Sequence, residues 1–416
     1  MSDLLRLLTY RDARIYLPGQ ILSVIGDNSL WLAMGIWIKT MTGSNTDAGL
    51  ALFPFTCGLL LAPAGGLLAD RFRRARLLAV VNLLAAAGVG PLLLVRGSGQ
   101  IWLIWIVMFC YGAVSTVIVS AQTALLAVLV PADLLAQANA LLQIASQGLR
   151  IITPLIGAGL LVWVGPQPLI LLDAATFLIA AACAMALRVR ENKPDVGRSR
   201  WWPQMAAGFR YMSRDTALAR MLVTLAVALC AFGFSNAVIY AVTGQGLHKP
   251  PAFVGVLFSG MGLGALAGGT TAPAAIRRLT PAGLVSAGLT AAAACFLLLT
   301  LPWLPLAVTA MALVGLAVVW LNVGVTTLIQ QRTPATLIGR VDAALSMAAT
   351  IPQAASIGIG SALITAVPYR ILLAIMTAML ITAMLYLRPP RNVVRLPRAL
   401  LLPTKHGAAQ HRDRQA

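Results

Sequence analysis

The sequence predicts an all-α integral membrane protein of twelve transmembrane helices arranged as two similar six-helix bundles. Three observations predict it: a composition too apolar for water, twelve apolar runs of membrane-spanning length, and a repeat relating the two halves of the chain. Of 416 residues, 59% are hydrophobic and 10% charged. A soluble domain carries roughly a quarter of its residues as Asp, Glu, Lys and Arg, so lipid is the solvent for most of this chain. The formal charge of +19 falls in the gaps between apolar runs. That is the pattern of membrane-protein loops, and it argues against nucleic acid as a partner.

A membrane-spanning helix needs about 20 mainly apolar residues. Runs at 15–38, 46–69, 77–95, 101–125, 140–164 and 168–187 make the first six spans. Runs at 217–244, 251–275, 282–300, 303–329, 342–366 and 369–387 make the second six. Gly and Pro recur within several, as membrane helices tolerate. The first run is too long for a cleavable signal peptide and is followed by Lys39 rather than a small-residue cleavage site. The expected units are a bundle over 1–187, a linker over 188–216, a bundle over 217–388 and a basic tail over 389–416. The linker carries Trp201-Trp202-Pro203, Met205, Phe209 and Met212. It reads as an amphipathic helix at the membrane surface or as a solvated connection.

Orientation follows from charge. If the N-terminus is inside, 26 of the 31 Lys and Arg residues lie on inner segments. Only Lys39, Arg96, Lys249 and Arg370 lie on outer loops, and Arg150 lies within a span. The positive-inside rule therefore puts both termini in the cytoplasm. The five cysteines all sit inside apolar runs with no metal or redox spacing. His248, His406 and His411 lie outside the spans, and no HExxH, GxSxG or phosphate-binding loop pattern occurs. Enzyme chemistry, a metal and a cofactor are therefore not expected.

The halves echo each other at one ungapped offset of 203 residues. Gly66 pairs with Gly269, Arg74 with Arg277, Gly112 with Gly315, Pro131 with Pro334 and Gly157 with Gly360. Duplicated halves are a transporter architecture, with the solute path between them near the bilayer midplane.

The turn Gly66-Leu67-Leu68-Ala69-Asp70-Arg71-Phe72-Arg73-Arg74 between the second and third runs resembles the signature of the major facilitator superfamily. Gly26-Asp27, Thr42-Gly43-Ser44, the segment Leu172 to Phe177, Gln331-Arg332-Thr333-Pro334 and Gly339-Arg340-Val341 resemble its bacterial drug-exporter branch, which includes macrolide and enterobactin exporters. The resemblance implies a monomeric secondary transporter with alternating access, exporting small amphipathic molecules by proton antiport. Three positions depart from the pattern. Arg73 stands where the signature usually has Gly, Met108 where many antiporters carry an arginine, and Thr153-Pro154 where the fifth span usually has Gly-Pro. These departures bear on proton antiport more than on transport.

Ionisable groups inside lipid cost a few kcal/mol at least and are functional candidates. Asp27 is the one acid near the middle of a run; it reads as a proton or substrate group, or as a buttress for a neighbouring helix. Asn28 beside it can hydrogen-bond a solute. Arg150 lies roughly ten residues, or ~15 Å, into the fifth run. It reads as the counter-ion of Asp27 or as a contact for a substrate anion. Asp173, nearer the outer end of the sixth run, reads as a structural, hydrogen-bonding acid. Asp342 reads as an acid at a helix N-terminus. Gly66 is expected to permit close helix approach. Asp70, Arg71 and Arg74 are expected to form an inner latch against Arg340 and Asp342; Arg73 and Arg76 read better as topology signals. Trp31, Trp37, Tyr111, Phe232, Phe234 and Tyr240 either line a solute pocket or pack helices. Rival readings are an importer or facilitator of a small solute, a membrane enzyme, and a transporter-like receptor or assembly protein.

Overall fold

The computed structural model describes residues 6–7, 9–131, 133–188, 201–334 and 337–387; the tail 389–416 lies outside the described residues. Span one is Arg11–Thr42, three Arg74–Val89, four Ile101–Leu129, five Leu135–Trp163 and six Gln167–Ala186. Span seven is Thr216–Ala241, eight Val254–Arg278, nine Pro281–Leu298, ten Leu304–Arg332, eleven Ile338–Leu363 and twelve Tyr369–Leu387. Span two differs from its expected single run. It is built of Asn45–Leu50, Phe53–Leu59 and Ala62–Arg71 and bends by 44° before the last piece. Pro63, second residue of that piece, has no N–H to give and crowds the carbonyl one turn back, which is the ordinary cause of a helix break.

The turn between spans one and two shows how a short sequence closes a membrane hairpin. Gly43 takes a left-handed conformation (φ 69°) and its N–H bonds the Lys39 carbonyl. Ser44 then caps the next helix by accepting from the Asp47 N–H at 3.1 Å. A glycine is needed at the first position because other residues pay for that φ.

The repeat is visible in helix packing. In the first half, a Cβ on Gly112 of span four would fall upon the carbonyl of Phe55 in span two, and Gly58 meets Phe109 and Ala113 in return. In the second half, Gly315 of span ten meets the carbonyl of Met261 in span eight, and Gly264 meets Ala312. Gly157 meets Ser29 of span one, and Gly360 meets Phe234 of span seven. Small residues let backbones touch, which is how helices gain van der Waals contact when lipid offers no hydrophobic drive. Gly66 is a correction: the space where its Cβ would lie is open, and Gly65 is the residue pressed onto Thr116 of span four. The two differ by one position, about 100° around the helix.

Two apolar cores form, one per half. The face carrying the start of span one and the end of span twelve is called the termini face below. The halves meet toward the opposite face. There Gly35 of span one meets the hydroxyl end of Tyr240 of span seven, Gly49 of span two wedges against Ala237 and Ser361, and Gly255 of span eight lies on Pro154 and Ala158 of span five. Midway, Ser259 Oγ donates to the Ile151 carbonyl at 2.8 Å and Trp31 meets Phe258 edge-on at 6.0 Å. Toward the termini face the halves part. Asn139, Ala140 and Gln143 of span five are exposed there, as are Gly269 and Thr270 of span eight.

The linker helix, Trp201–Arg214, is joined to the second half rather than free between the halves. Gly208 lies against the Arg340 carbonyl and Ala344 of span eleven, and Met212 is buried. Tyr211 Oη donates to the Arg332 carbonyl at 2.6 Å, and Asp215 pairs with Arg332 at 3.7 Å while capping span seven. The side chains of Trp201, Trp202 and Met205 lie outside the described residues.

Candidate functional site: a central cavity and its carboxylate pair

Between the halves lies a cavity of about 810 Å3 on the first-half side, continued by about 520 Å3 on the second-half side. Trp31, Phe55, Phe258 and Met261 border both parts. Its walls are mostly apolar; among their polar groups are Gln20, Asn28, Gln122, Asn139, Gln143 and Arg150 on one side and Asn236, Asn322, Asp342 and Gln353 on the other, besides several Ser and Thr hydroxyls. Of the six aromatics singled out from sequence, Trp31, Tyr111 and Phe232 border the cavity. Trp37 and Tyr240 are buried in the helix packing, and Phe234 packs on Gly360.

Asp27 is half-buried at the middle of span one and faces this cavity. Its Oδ1 accepts from Tyr111 Oη at 2.6 Å, and its Oδ2 faces Ser23 Oγ at 3.5 Å. The same Tyr111 Oη lies 3.3 Å from Asp173 Oδ1. Asp173 is fully buried, and its Oδ2 has no hydrogen-bond partner among the described residues. Spans one and six touch closely at this level, because a Cβ on Gly26 would collide with Thr176 Oγ1 and crowd Asp173. Tyr111 is held by ring contacts to Phe177 at 5.7 Å and Phe55 at 6.1 Å. Gln122 Nε2 donates to Gln20 Oε1 on the same wall.

The expected Asp27–Arg150 ion pair is not made. Both residues face one cavity, but the oxygens of Asp27 turn to hydroxyls on spans four and one. Arg150 is exposed to the cavity at the level where span five crosses span eight, its backbone against Gly262, and has no ion pair within 4 Å among the described residues. Asp173, read from sequence as a structural hydrogen-bonding acid, shares the Tyr111 hydroxyl with Asp27. Sequence offered one signal for this: Gly26 beside Asp27, a mark of close approach at the level of the acid.

Asp70, Arg71, Arg340 and Asp342 are exposed, and among the described residues no hydrogen bond or ion pair links these four in this conformation. Arg74 Nη1 instead donates to the Ala124 carbonyl of span four at 3.3 Å. Asp342 is the fifth residue of span eleven, not its start, and borders the cavity. Its counterpart at the repeat offset, Asn139, does the same.

Residues 16–357 match the family model of the Major Facilitator Superfamily. The chain belongs to this superfamily. It is 25% identical over 356 residues to the enterobactin exporter EntS of Escherichia coli O1:K1, covering 82% of each chain. It is also 25% identical over 354 residues to the uncharacterized MFS-type transporter YfiS of Bacillus subtilis strain 168, covering 80% of this chain and 82% of that one. Among solved structures, the nucleoside transporter NupG superposes with a TM-score of 0.71 at 11% identity over 91% of this chain and 98% of that one. A bacterial homologue of the iron transporter ferroportin in an inward-facing state superposes with a TM-score of 0.69 at 15% identity over 92% and 98%. These superpositions show the shared fold. The protein is a multi-pass membrane transporter of the major facilitator type, with twelve spans in two related bundles.

Proposed function

We propose that the protein is a secondary exporter of small amphipathic molecules, driven by proton exchange and working as a monomer in the bacterial inner membrane with both termini in the cytoplasm. The observation that carries this reading is the cavity: mostly apolar, aromatic-bordered, open toward the termini face, with the Asp27 carboxylate and the Arg150 guanidinium, unpaired among the described residues, on its first-half wall. The charge asymmetry makes the termini face cytoplasmic, so the cavity admits solute from inside. Aromatic and aliphatic walls suit a bulky apolar body, while Asn28 and Arg150 supply the few oriented polar contacts that fix a ligand. Arg150 suits an anionic or carbonyl group of the solute. EntS, an enterobactin exporter by name, supports the outward direction. Sugar-type uptake is disfavoured, because the exposed walls of the cavity are mostly apolar.

Proteoliposomes test the reading. A panel of amphipathic fluorescent solutes should be moved against a gradient when an opposing pH gradient is imposed, and accumulation should collapse when the pH gradient is dissipated. Accumulation indifferent to the pH gradient would remove proton exchange from the account. Transport of none of the panel would remove the solute class.

The same reading gives the separated loop residues a role. When the halves rock to close the cytoplasmic side, Asp70, Arg71 and Arg74 approach Arg340 and Asp342 and form charge-assisted hydrogen bonds. Asp70→Asn is expected to hold the protein longer in the cytoplasm-open state and to slow turnover. Maleimide labelling of a cysteine introduced at Asn139 should rise in this variant. Unchanged labelling together with wild-type transport would show that the loop does not latch.

A further inference from the structure

We propose that Asp27, Tyr111 and Asp173 form one proton-sharing unit, in which Asp173 is a second proton site and Tyr111 its link to the cavity. The proposal deepens the proton-exchange reading above and rests on it for its place in transport. Its geometry is a count of hydrogens. A tyrosine hydroxyl has one proton to donate. At 2.6 Å from Asp27 Oδ1, the contact has the length of a hydroxyl bonded to an ionised carboxylate, so that proton points to Asp27. The contact of Tyr111 Oη with Asp173 Oδ1 at 3.3 Å then has no hydrogen unless Asp173 supplies it. Asp173 is fully buried, with Oδ2 unpartnered. An ionised carboxylate in that position would carry a charge with no donor to satisfy it, a heavy cost in a medium poor in water. A neutral Asp173 donating its proton to Tyr111 Oη removes both difficulties.

The resulting chain runs Asp173 O–H to Tyr111 Oη, and Tyr111 O–H to Asp27 Oδ1. A concerted shift moves one proton along each bond. The Asp173 O–H bond breaks as a new Tyr111 O–H bond forms, and the old Tyr111 O–H bond breaks as Asp27 gains its proton. Tyrosine ends as it began, Asp27 is neutral and Asp173 is ionised. The total charge of the unit does not change, so the shift avoids creating a second ion in the membrane. Asp27 faces the cavity whereas Asp173 is sealed, so Asp173 exchanges protons with water only through Tyr111 and Asp27. The neighbouring ionisable groups leave the unit to itself. On the first-half cavity wall they are Tyr16, bonded to the Gln122 carbonyl, and Arg150, unpaired. Span three, packed on span six, carries only Arg74 and Arg76 in its first turn. Cys183 of span six lies against Gly19, toward the termini face.

Infrared spectroscopy of the full-length protein in lipid vesicles tests this without a substrate or a gradient. Wild type should show a carbonyl band of a protonated carboxyl that is lost in Asp173→Asn and displaced in Asp173→Glu, the latter serving if the former does not fold. Transfer from H2O to D2O should shift this band, and Tyr111→Phe, which keeps the ring contact to Phe177, should slow the shift by about tenfold or more, the rate equivalent of losing one charge-assisted hydrogen bond. A spectrum in which Asp173 contributes no protonated band between about pH 5 and 9, or an exchange rate unchanged in Tyr111→Phe, overturns the unit. If the band and its dependence on Tyr111 hold while transport ignores the pH gradient, the unit stands and the coupling reading falls.

Discussion

Asp27→Asn is expected to abolish accumulation against a gradient while leaving downhill exchange of the same solute. The substitution keeps the size of the side chain and its ability to accept from Tyr111, but it cannot take up or release a proton. Antiport needs a group that is protonated on one side and deprotonated on the other, and Asp27 is the carboxylate at mid-span that faces the cavity. Proton-coupled accumulation in proteoliposomes should fall to the level set by the solute gradient alone, with counterflow retained. Counterflow is the decisive control, because a misfolded variant loses both. Undiminished proton-driven accumulation would take the carrier role away from Asp27.

The second large effect is expected where the halves touch on the closed side. Gly49→Leu places a side chain where Ala237 Cβ and Ser361 Oγ already fill the space, with the backbone Cα of Ala237 close behind them. Overpacking of this kind costs roughly 1–3 kcal/mol. The cost falls only on the conformation in which these surfaces meet, so it shifts the population away from the cytoplasm-open state by roughly 5- to 150-fold. With the native cysteines replaced, labelling of a cysteine at Asn139 from the cytoplasmic side should drop, and transport should slow by a comparable factor. Gly66→Leu is the matched control, because the space around Gly66 is open; it should leave both readouts near wild type.

What was legible in the sequence follows from the strength of each physical signal. Length and hydropathy declared the spans because the bilayer imposes one dimension on every one of them. Span two is the exception. Its apolar run is continuous, and of its two prolines, Pro54 and Pro63, the 44° break falls at the second. The repeat was legible because glycines at helix crossings cannot be replaced without parting the backbones. Gly112 and Gly315 prove to be equivalent crossings in the two halves. The prominence of Asp27 was legible for a simpler reason: a carboxylate in an apolar run is too costly to be incidental.

The partners of that carboxylate were decided by tertiary structure. Charge alone matched Asp27 with Arg150, since opposite signs attract and no other basic residue lay deep within a span. Helix rotation and tilt instead bring Tyr111 within hydrogen-bonding distance and Asp173 behind it, while Arg150 stays apart on the cavity wall. The latch shows the same division. Its residues were visible as a charged turn, yet among the described residues Asp70, Arg71, Arg340 and Asp342 do not pair with one another here. Sequence by itself determined the class, the span count, the duplication and the residues too costly to be passive, because each of these is a property of a segment in lipid. Which of those residues meet was left to the packing of helices. A rotation of one residue is about 100°, enough to turn a side chain from one neighbour to the next, and no local signal in the chain encodes it.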